Sequence, residues 1–130
     1  MCNVIFRHVF NFCACGFQRQ LRRNGQQCEL FVRLSTISTR VPWYDYRDEC
    51  TSLVIGEGVT RIGNRAFYKM TALERAALPS TLTEIGEYAF AESSSLSDCK
   101  LPANLKTIER YAFQNCTSLA DVDFPEGLTT

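Results

Sequence analysis

Residues 82–90 read Leu-Thr-Glu-Ile-Gly-Glu-Tyr-Ala-Phe, and the same pattern stands 23 residues earlier and 23 residues later. The flanking copies are Val-Thr-Arg-Ile-Gly-Asn-Arg-Ala-Phe at 59–67 and Leu-Lys-Thr-Ile-Glu-Arg-Tyr-Ala-Phe at 105–113. A repeat of about 20 to 50 residues is typical of solenoids and propellers, in which each unit buries its apolar face against its neighbours. The period therefore predicts a stack of coils.

A short strand is predicted in each coil. Cys99 and Leu101 alternate with Asp98 and Lys100, which is the two-residue period of a strand with one face inward. The same slots in the other coils hold Leu53 and Ile55, Ala76 and Leu78, and Val122 and Phe124. Proline follows three of these four strands and ends each one at the same place, because it cannot donate to a ladder.

The opposite side of each coil is predicted to be helical. The stretch Gly-Glu-Tyr-Ala-Phe-Ala at 86–91 suits one or two turns of helix. Stacked strands lie about 4.8 Å apart, whereas packed helices need about 8–10 Å. The sequence thus predicts an α/β solenoid that is curved, with short parallel strands on its concave side and short helical turns on its convex side. Phe67, Phe90 and Phe113 are expected to form one stacked column.

The repeat also carries a family likeness. Its pattern Leu-x-x-Ile-Gly-x-x-Ala-Phe-x(5)-Leu-x(4)-Leu-Pro resembles the BspA-like leucine-rich repeats, and the likeness covers residues 41–130. The resemblance implies a non-enzymatic protein-binding module. Members are mostly surface or secreted proteins of host-associated bacteria and some parasitic protists, and several are implicated in adhesion. The implied partner is a protein on a host or neighbouring cell.

The balance of basic and acidic residues changes near Pro42. Residues 1–45 carry six arginines against two acidic residues, whereas residues 46–130 carry eight basic and twelve acidic residues. We therefore assign residues 1–42 to an N-terminal segment and residues 43–130 to a leucine-rich repeat array of about three coils, incomplete at the C-terminus. The acidic balance of the array argues against nucleic acid as its partner, since a phosphate-binding face is basic.

The N-terminal segment contains no copy of the repeat. Its apolar tracts are interrupted by Arg7 and His8, so they are too short for a membrane span of about 20 residues and have the wrong order for a secretory signal. Two interpretations stay open. The segment is either a cap, with a strand pair from Cys28 to Ile37 and a turn at Asn24-Gly25, or a start that is not native.

Cysteine and histidine do not form a catalytic or metal-binding pattern. Cys99 and Cys116 occupy core slots of the repeat, and Cys50 is expected to be partly buried. The other four cysteines are Cys2, Cys13, Cys15 and Cys28. They lack the paired spacing of structural zinc sites, and a Cys13–Cys28 or Cys15–Cys28 disulfide is the alternative in an oxidising compartment. We expect no enzymatic activity, cofactor or metal.

The outward positions of the predicted strands are the candidate partner-binding residues. They are Arg75, Asp98, Lys100, Asp121 and Asp123. Side by side they form a mixed, increasingly acidic ribbon on the concave side, where solenoids bind extended partners. The alternative is that these are ordinary solubilising charges.

The sequence stops three residues into a fourth copy of the repeat, with no polar cap. This predicts either a longer protein or self-association through the C-terminal coil. The rival to a binding function is a truncated or degenerate repeat fragment with only a structural role.

Overall fold

Two sheets run along the repeat array. The structure is a computed structural model that describes residues 47–129 and, as backbone only, four short strands nearer the N-terminus. The strands are β1 (Val4–Ile5), β2 (Gln18–Asn24), β3 (Gln27–Arg33), β4 (Thr36–Ile37), β5 (Cys50–Ile55), β6 (Arg61–Ile62), β7 (Arg75–Ala77), β8 (Glu84–Ile85), β9 (Asp98–Lys100) and β10 (Thr107–Ile108). The first sheet has the order β1-β2-β3-β5-β7-β9, and the second has the order β10-β8-β6-β4.

Within the array the strands of both sheets pair in parallel, and each residue lies opposite the residue 23 positions away. Arg75 lies opposite Asp98 in the first sheet, and Ile62 lies opposite Ile85 in the second. Successive coils therefore place equivalent side chains directly above one another. The parallel strands of the first sheet were predicted, whereas the second sheet was not.

The N-terminal strands extend both sheets. β2 and β3 form an antiparallel hairpin, and β3 then pairs in parallel with β5. β4 pairs in parallel with β6 of the second sheet. The predicted strand pair from Cys28 to Ile37 is therefore wrong, because its two halves lie in different sheets. The hairpin lies one strand earlier, with β2 ending at the Asn24 of the Asn-Gly dipeptide. His8 and the side chains of Cys2, Cys13, Cys15 and Cys28 lie outside the described residues.

The core is one cluster of buried side chains that repeats from coil to coil. Phe67 and Phe90 are fully buried, with ring centroids 5.2 Å apart. Phe90 and Phe113 stack at 5.3 Å with ring planes only 3° apart. The predicted phenylalanine column is thus confirmed. Cys99 and Cys116 are also core residues, as predicted, and Cys50 is fully rather than partly buried.

The predicted helical turns are not formed. The described residues contain no helix, and the corresponding segments are successive turns at 64–69, 87–92 and 110–115. Two residues in each segment have a left-handed backbone, with φ between 54° and 64°. They are Arg65 and Lys69, Tyr88 and Glu92, and Tyr111 and Asn115. Left-handed residues cannot continue a right-handed helix. These segments are therefore successive turns and not helices.

Hydrogen bonds between coils explain why the left-handed turns are stable. On the turn side every second N–H points to the next coil, as in Phe67 N–H to the Ala89 carbonyl at 2.8 Å and Phe90 N–H to the Ala112 carbonyl at 2.8 Å. Beside the second sheet the direction is reversed, and Gly86 N–H donates back to the Ile62 carbonyl at 2.8 Å. Backbone polar groups that a helix would satisfy internally are thereby satisfied between coils.

The spacing of the turn side removes the physical argument for curvature. Ring centroids on that side are 5.2 and 5.3 Å apart, which is close to the separation of paired strands and far below that of packed helices. A wider convex side was expected only because helices need more room. With turns in their place, that expectation loses its basis.

The predicted fourth strand, around Val122 and Phe124, is also not formed. Residues 119–125 make no ladder, and Phe124 is 63% exposed. Aspartate is disfavoured in strands. In the register of the repeat Asp121 would also lie opposite Asp98, and like charges directly opposite each other are destabilising. In the same register Asp123 would lie opposite Lys100, an attractive pair, so the low strand propensity of aspartate and not the facing charges is the reason that we assign to the missing strand.

Candidate functional site

The exposed face of the first sheet carries three of the five predicted partner-binding residues. In both β7 and β9 the outer residues are exposed and the central residue, Ala76 or Cys99, is buried. This alternation places Arg75 beside Asp98 and Ala77 beside Lys100 on one face. We call Arg75, Asp98 and Lys100 the strand-face cluster.

The charges of the strand-face cluster are not neutralised by one another. Although Arg75 and Asp98 are register partners, neither forms an ion pair in the part of the chain that the structure describes. All three side chains are exposed. Their charges therefore remain available to a partner.

Asp121 and Asp123 do not join this cluster through strand pairing. Both side chains are exposed, but they lie in the segment that forms no ladder with β9. The predicted continuous ribbon of five residues is therefore interrupted after Lys100. Only Arg75, Asp98 and Lys100 are placed by regular strand geometry.

The second sheet presents a contrasting set of charges that sequence reasoning missed. Arg61 Nε lies 2.7 Å from Glu84 Oε1, and Arg61 Nη2 lies 3.4 Å from Glu109 Oε1. Glu109 Oε2 also accepts a hydrogen bond from Glu87 N–H at 3.0 Å. These side chains link three coils, and their charges are paired with one another within the chain. The 23-residue spacing of Arg61 and Glu84 was a signal that could have revealed the pair.

A third feature of the surface is an aromatic column on the turn side, which the sequence analysis also missed. Arg65, Tyr88 and Tyr111 occupy the same left-handed slot in successive coils. The rings of Tyr88 and Tyr111 stack with centroids 5.0 Å apart, and the Arg65 guanidinium carbon lies 5.4 Å from the Tyr88 centroid. The spacing of 23 between the two tyrosines was again the available signal.

The buried thiols of Cys99 and Cys116 are protonated at neutral pH. Burial raises the pKa of Cys99 to about 12 and that of Cys116 to about 11, from an ordinary value of 9.0. The Cys116 thiol donates to the Phe90 carbonyl at 3.1 Å. Because the thiolate is the nucleophile and the metal ligand, neither residue is suited to catalysis or metal binding at neutral pH. Among the residues described, no three His, Cys, Asp or Glu side chains are grouped so as to hold a metal ion.

Alkylation with iodoacetamide at pH 8 should therefore separate folded from unfolded chain. We expect Cys99 and Cys116 to react at least about 100-fold more slowly in buffer than in urea, because a pKa raised by two units or more lowers the thiolate fraction by that factor. Mass spectrometry of the tryptic peptides measures each rate. Equal rates in buffer and urea would contradict the burial of these thiols.

The raised thiol pKa values also predict how stability depends on pH. Above pH 9 the unfolded chain loses thiol protons that the folded chain keeps, so the free energy of unfolding should fall as pH rises toward 11.

The comparison with known proteins agrees with the stacked geometry. The profile of the BspA type leucine rich repeat region (6 copies) matches residues 42–130. The chain belongs to this family. A search of curated proteins found no match.

Solved structures of bacterial leucine-rich repeat proteins resemble the BspA-type array. A T. pallidum leucine rich repeat protein is 28% identical, with a TM-score of 0.57, over 86% of this chain and 49% of its own. A leucine rich cell surface protein from Faecalibacterium prausnitzii is 29% identical, with a TM-score of 0.62, over 87% of this chain and 36% of its own. A protein from Bacteroides ovatus is 36% identical, with a TM-score of 0.57, over 62% of this chain and 21% of its own. The chain thus spans less than half of each.

These likenesses support a leucine-rich-repeat solenoid fold for the array, and proteins of this family are generally protein-interaction modules. No helix in the described part of the chain is long and apolar enough to cross a membrane.

Proposed function

We propose that the array is a non-enzymatic binding module that recognises a protein on a cell surface through the strand-face cluster. The observation that carries this proposal is the contrast between the two sheets. Arg61 of the second sheet is held by two carboxylates of its own chain, whereas Arg75, Asp98 and Lys100 of the first sheet are exposed and form no ion pair with another described residue. Exposed charges that no internal partner uses can set the specificity of an interface.

A location at the cell surface or outside the cell is part of the same proposal. It is supported by the Faecalibacterium prausnitzii relative, which is described as a leucine rich cell surface protein. The proposed partner is a protein of a host or neighbouring cell. Asp121 and Asp123 are proposed as an extension of the contact, because both are exposed and stand 23 residues after Asp98 and Lys100, at the equivalent positions of the next coil.

Binding of the fluorescently labelled 130-residue chain to intact animal cells tests the proposal. We expect saturable binding that is lost when the cells are first treated with trypsin, which would identify the partner as a protein. The double variant Asp98→Lys, Lys100→Glu exchanges the two charges and keeps the net charge. It should weaken binding at least tenfold, since like charges then face the partner.

The control at a separate site is Lys106→Glu, which also tests whether a change of net charge alone affects binding. Lys106 is exposed, and only its backbone takes part in the hydrogen bonds between coils, so its side chain can be reversed without disturbing the strand-face cluster. This variant should bind like the native chain. Binding that survives charge exchange at Asp98 and Lys100, or that responds equally to Lys106→Glu, would exclude the strand-face cluster as the contact.

Self-association through the coil at 105–129 is a second contact that we propose. Tyr111 and Phe124 are 53% and 63% exposed, whereas Tyr88 and Leu101, the equivalent residues of the preceding coil, are partly buried. The cell-binding measurements are therefore made at chain concentrations where sedimentation velocity shows a single species.

A further inference from the structure

Tyr88 and Tyr111 form a stacked pair of phenols at the surface. Their ring centroids are 5.0 Å apart and their planes differ by 25°. Tyr111 is 53% exposed and Tyr88 is half-buried. Both residues have the left-handed backbone of their slot, with φ of 54° and 59°. The repeat itself thus aims the two side chains in the same direction from neighbouring coils.

Among the described residues the other tyrosine near this pair is Tyr68, and Arg65 contacts both Tyr68 and Tyr88. The Arg65 guanidinium carbon lies 5.4 Å from the Tyr88 centroid and 6.0 Å from the Tyr68 centroid. Arg65 occupies the slot one coil before Tyr88, and Tyr111 occupies the slot one coil after it. In the described residues Tyr68 makes no ring contact with Tyr88, so the phenol next to Tyr88 is that of Tyr111.

We propose that Tyr88 and Tyr111 are a site of oxidative cross-linking, at which a dityrosine joins the second and third coils. The oxidant is hydrogen peroxide acting through a haem peroxidase. Each phenol loses one electron and one proton to give a phenoxyl radical, and the peroxide is reduced to two molecules of water. The radicals form a carbon–carbon bond between ortho carbons, and the two hydrogens on those carbons move to the phenolic oxygens as the rings regain aromaticity.

The stacked geometry favours coupling within the pair. Two radicals held 5.0 Å apart meet without diffusion, and such proximity greatly accelerates reactions between held groups. Exposure of Tyr111 gives the oxidant access and leaves its ring room to tilt. The three cysteines whose side chains the structure describes, Cys50, Cys99 and Cys116, are buried, so their thiols are shielded from competing as reductants.

Peroxidase treatment of the native chain followed by tryptic digestion tests the proposal. The expected product joins peptides 76–100 and 111–130, with a mass two hydrogens below their sum, and shows dityrosine fluorescence. Tyr88→Phe and Tyr111→Phe should each abolish this product. Tyr68→Phe, the matched control, should leave its yield unchanged. Phenylalanine keeps the ring in each case, so the fold is retained.

Two further measurements decide between the stack and random coupling. The cross-linked chain should have a higher Tm, because the link restricts the unfolded chain as a disulfide does. Oxidation in urea should lower the share of Tyr88–Tyr111 product at least several-fold. The proposal is overturned by an equal share in urea, by products that mainly join separate chains, or by a yield that persists in Tyr111→Phe.

Discussion

Replacement of Phe90 by alanine is expected to lower the free energy of unfolding by about 3–5 kcal/mol, the usual cost of deleting a buried phenylalanine ring. Phe90 is fully buried and stacks between two described rings, those of Phe67 and Phe113, at 5.2 and 5.3 Å. The alanine would leave a cavity lined by two aromatic faces that the paired backbones around it cannot close. Urea unfolding followed by circular dichroism measures the loss.

Two other phenylalanines provide a graded comparison. Phe113→Ala should cost less than Phe90→Ala, because Phe113 is half-buried and has one stacked neighbour. Phe124→Ala should change stability by no more than about 0.5 kcal/mol, as is usual at exposed positions. Equal effects at Phe90 and Phe124 would show that the column does not stabilise the stack.

Gly86→Ala is expected to destabilise the fold by about 1–3 kcal/mol, in the range of overpacked cores. A methyl group at Gly86 would lie 2.8 Å from the Ile62 carbonyl oxygen and 2.8 Å from the Asn64 backbone nitrogen. Both atoms belong to the preceding coil, so relief requires the coils to move apart. That movement would strain the hydrogen bond from Gly86 N–H to the Ile62 carbonyl.

The control for this substitution is Gly127→Ala, where the nearest atom to an added methyl group is 4.0 Å away. It should have little effect on stability. Combining Gly86→Ala with Asn64→Ala removes the closest obstacle, the Asn64 side-chain oxygen at 2.5 Å, but leaves the backbone contacts. A full recovery of Tm in the double variant would mean that the side chain alone, and not the close approach of the coils, demands glycine.

The sequence predicted the parts of the fold that depend on buried apolar side chains. The slots of Phe67, Phe90 and Cys99 follow from the period and from the exclusion of apolar groups from water, and all three are buried as expected. The outward direction of Arg75, Asp98 and Lys100 followed from strand alternation in the same way.

What could not be predicted depends on backbone bonds between coils. Tyrosine and arginine disfavour the left-handed region, so nothing local to Tyr88 or Arg65 indicated it; the bonds to the neighbouring coil stabilise it there. The two-residue strands of the second sheet are too short to show an alternating pattern. The strand predicted around Asp121 is not formed, since alternation of apolar residues was its only support and aspartate is disfavoured in strands.

The opposed directions of the hydrogen bonds between coils bear on how such a stack can lengthen. On the turn side N–H groups point from an earlier coil to a later one, and beside the second sheet they point from a later coil to an earlier one. The peptide dipoles of the two sides therefore run antiparallel along the axis and partly offset each other. An α-helix concentrates partial charge at its ends because its hydrogen bonds all run in one direction. Here each added coil contributes hydrogen bonds that run in both directions. Each added coil therefore contributes a smaller net dipole than it would if all of its hydrogen bonds ran in one direction.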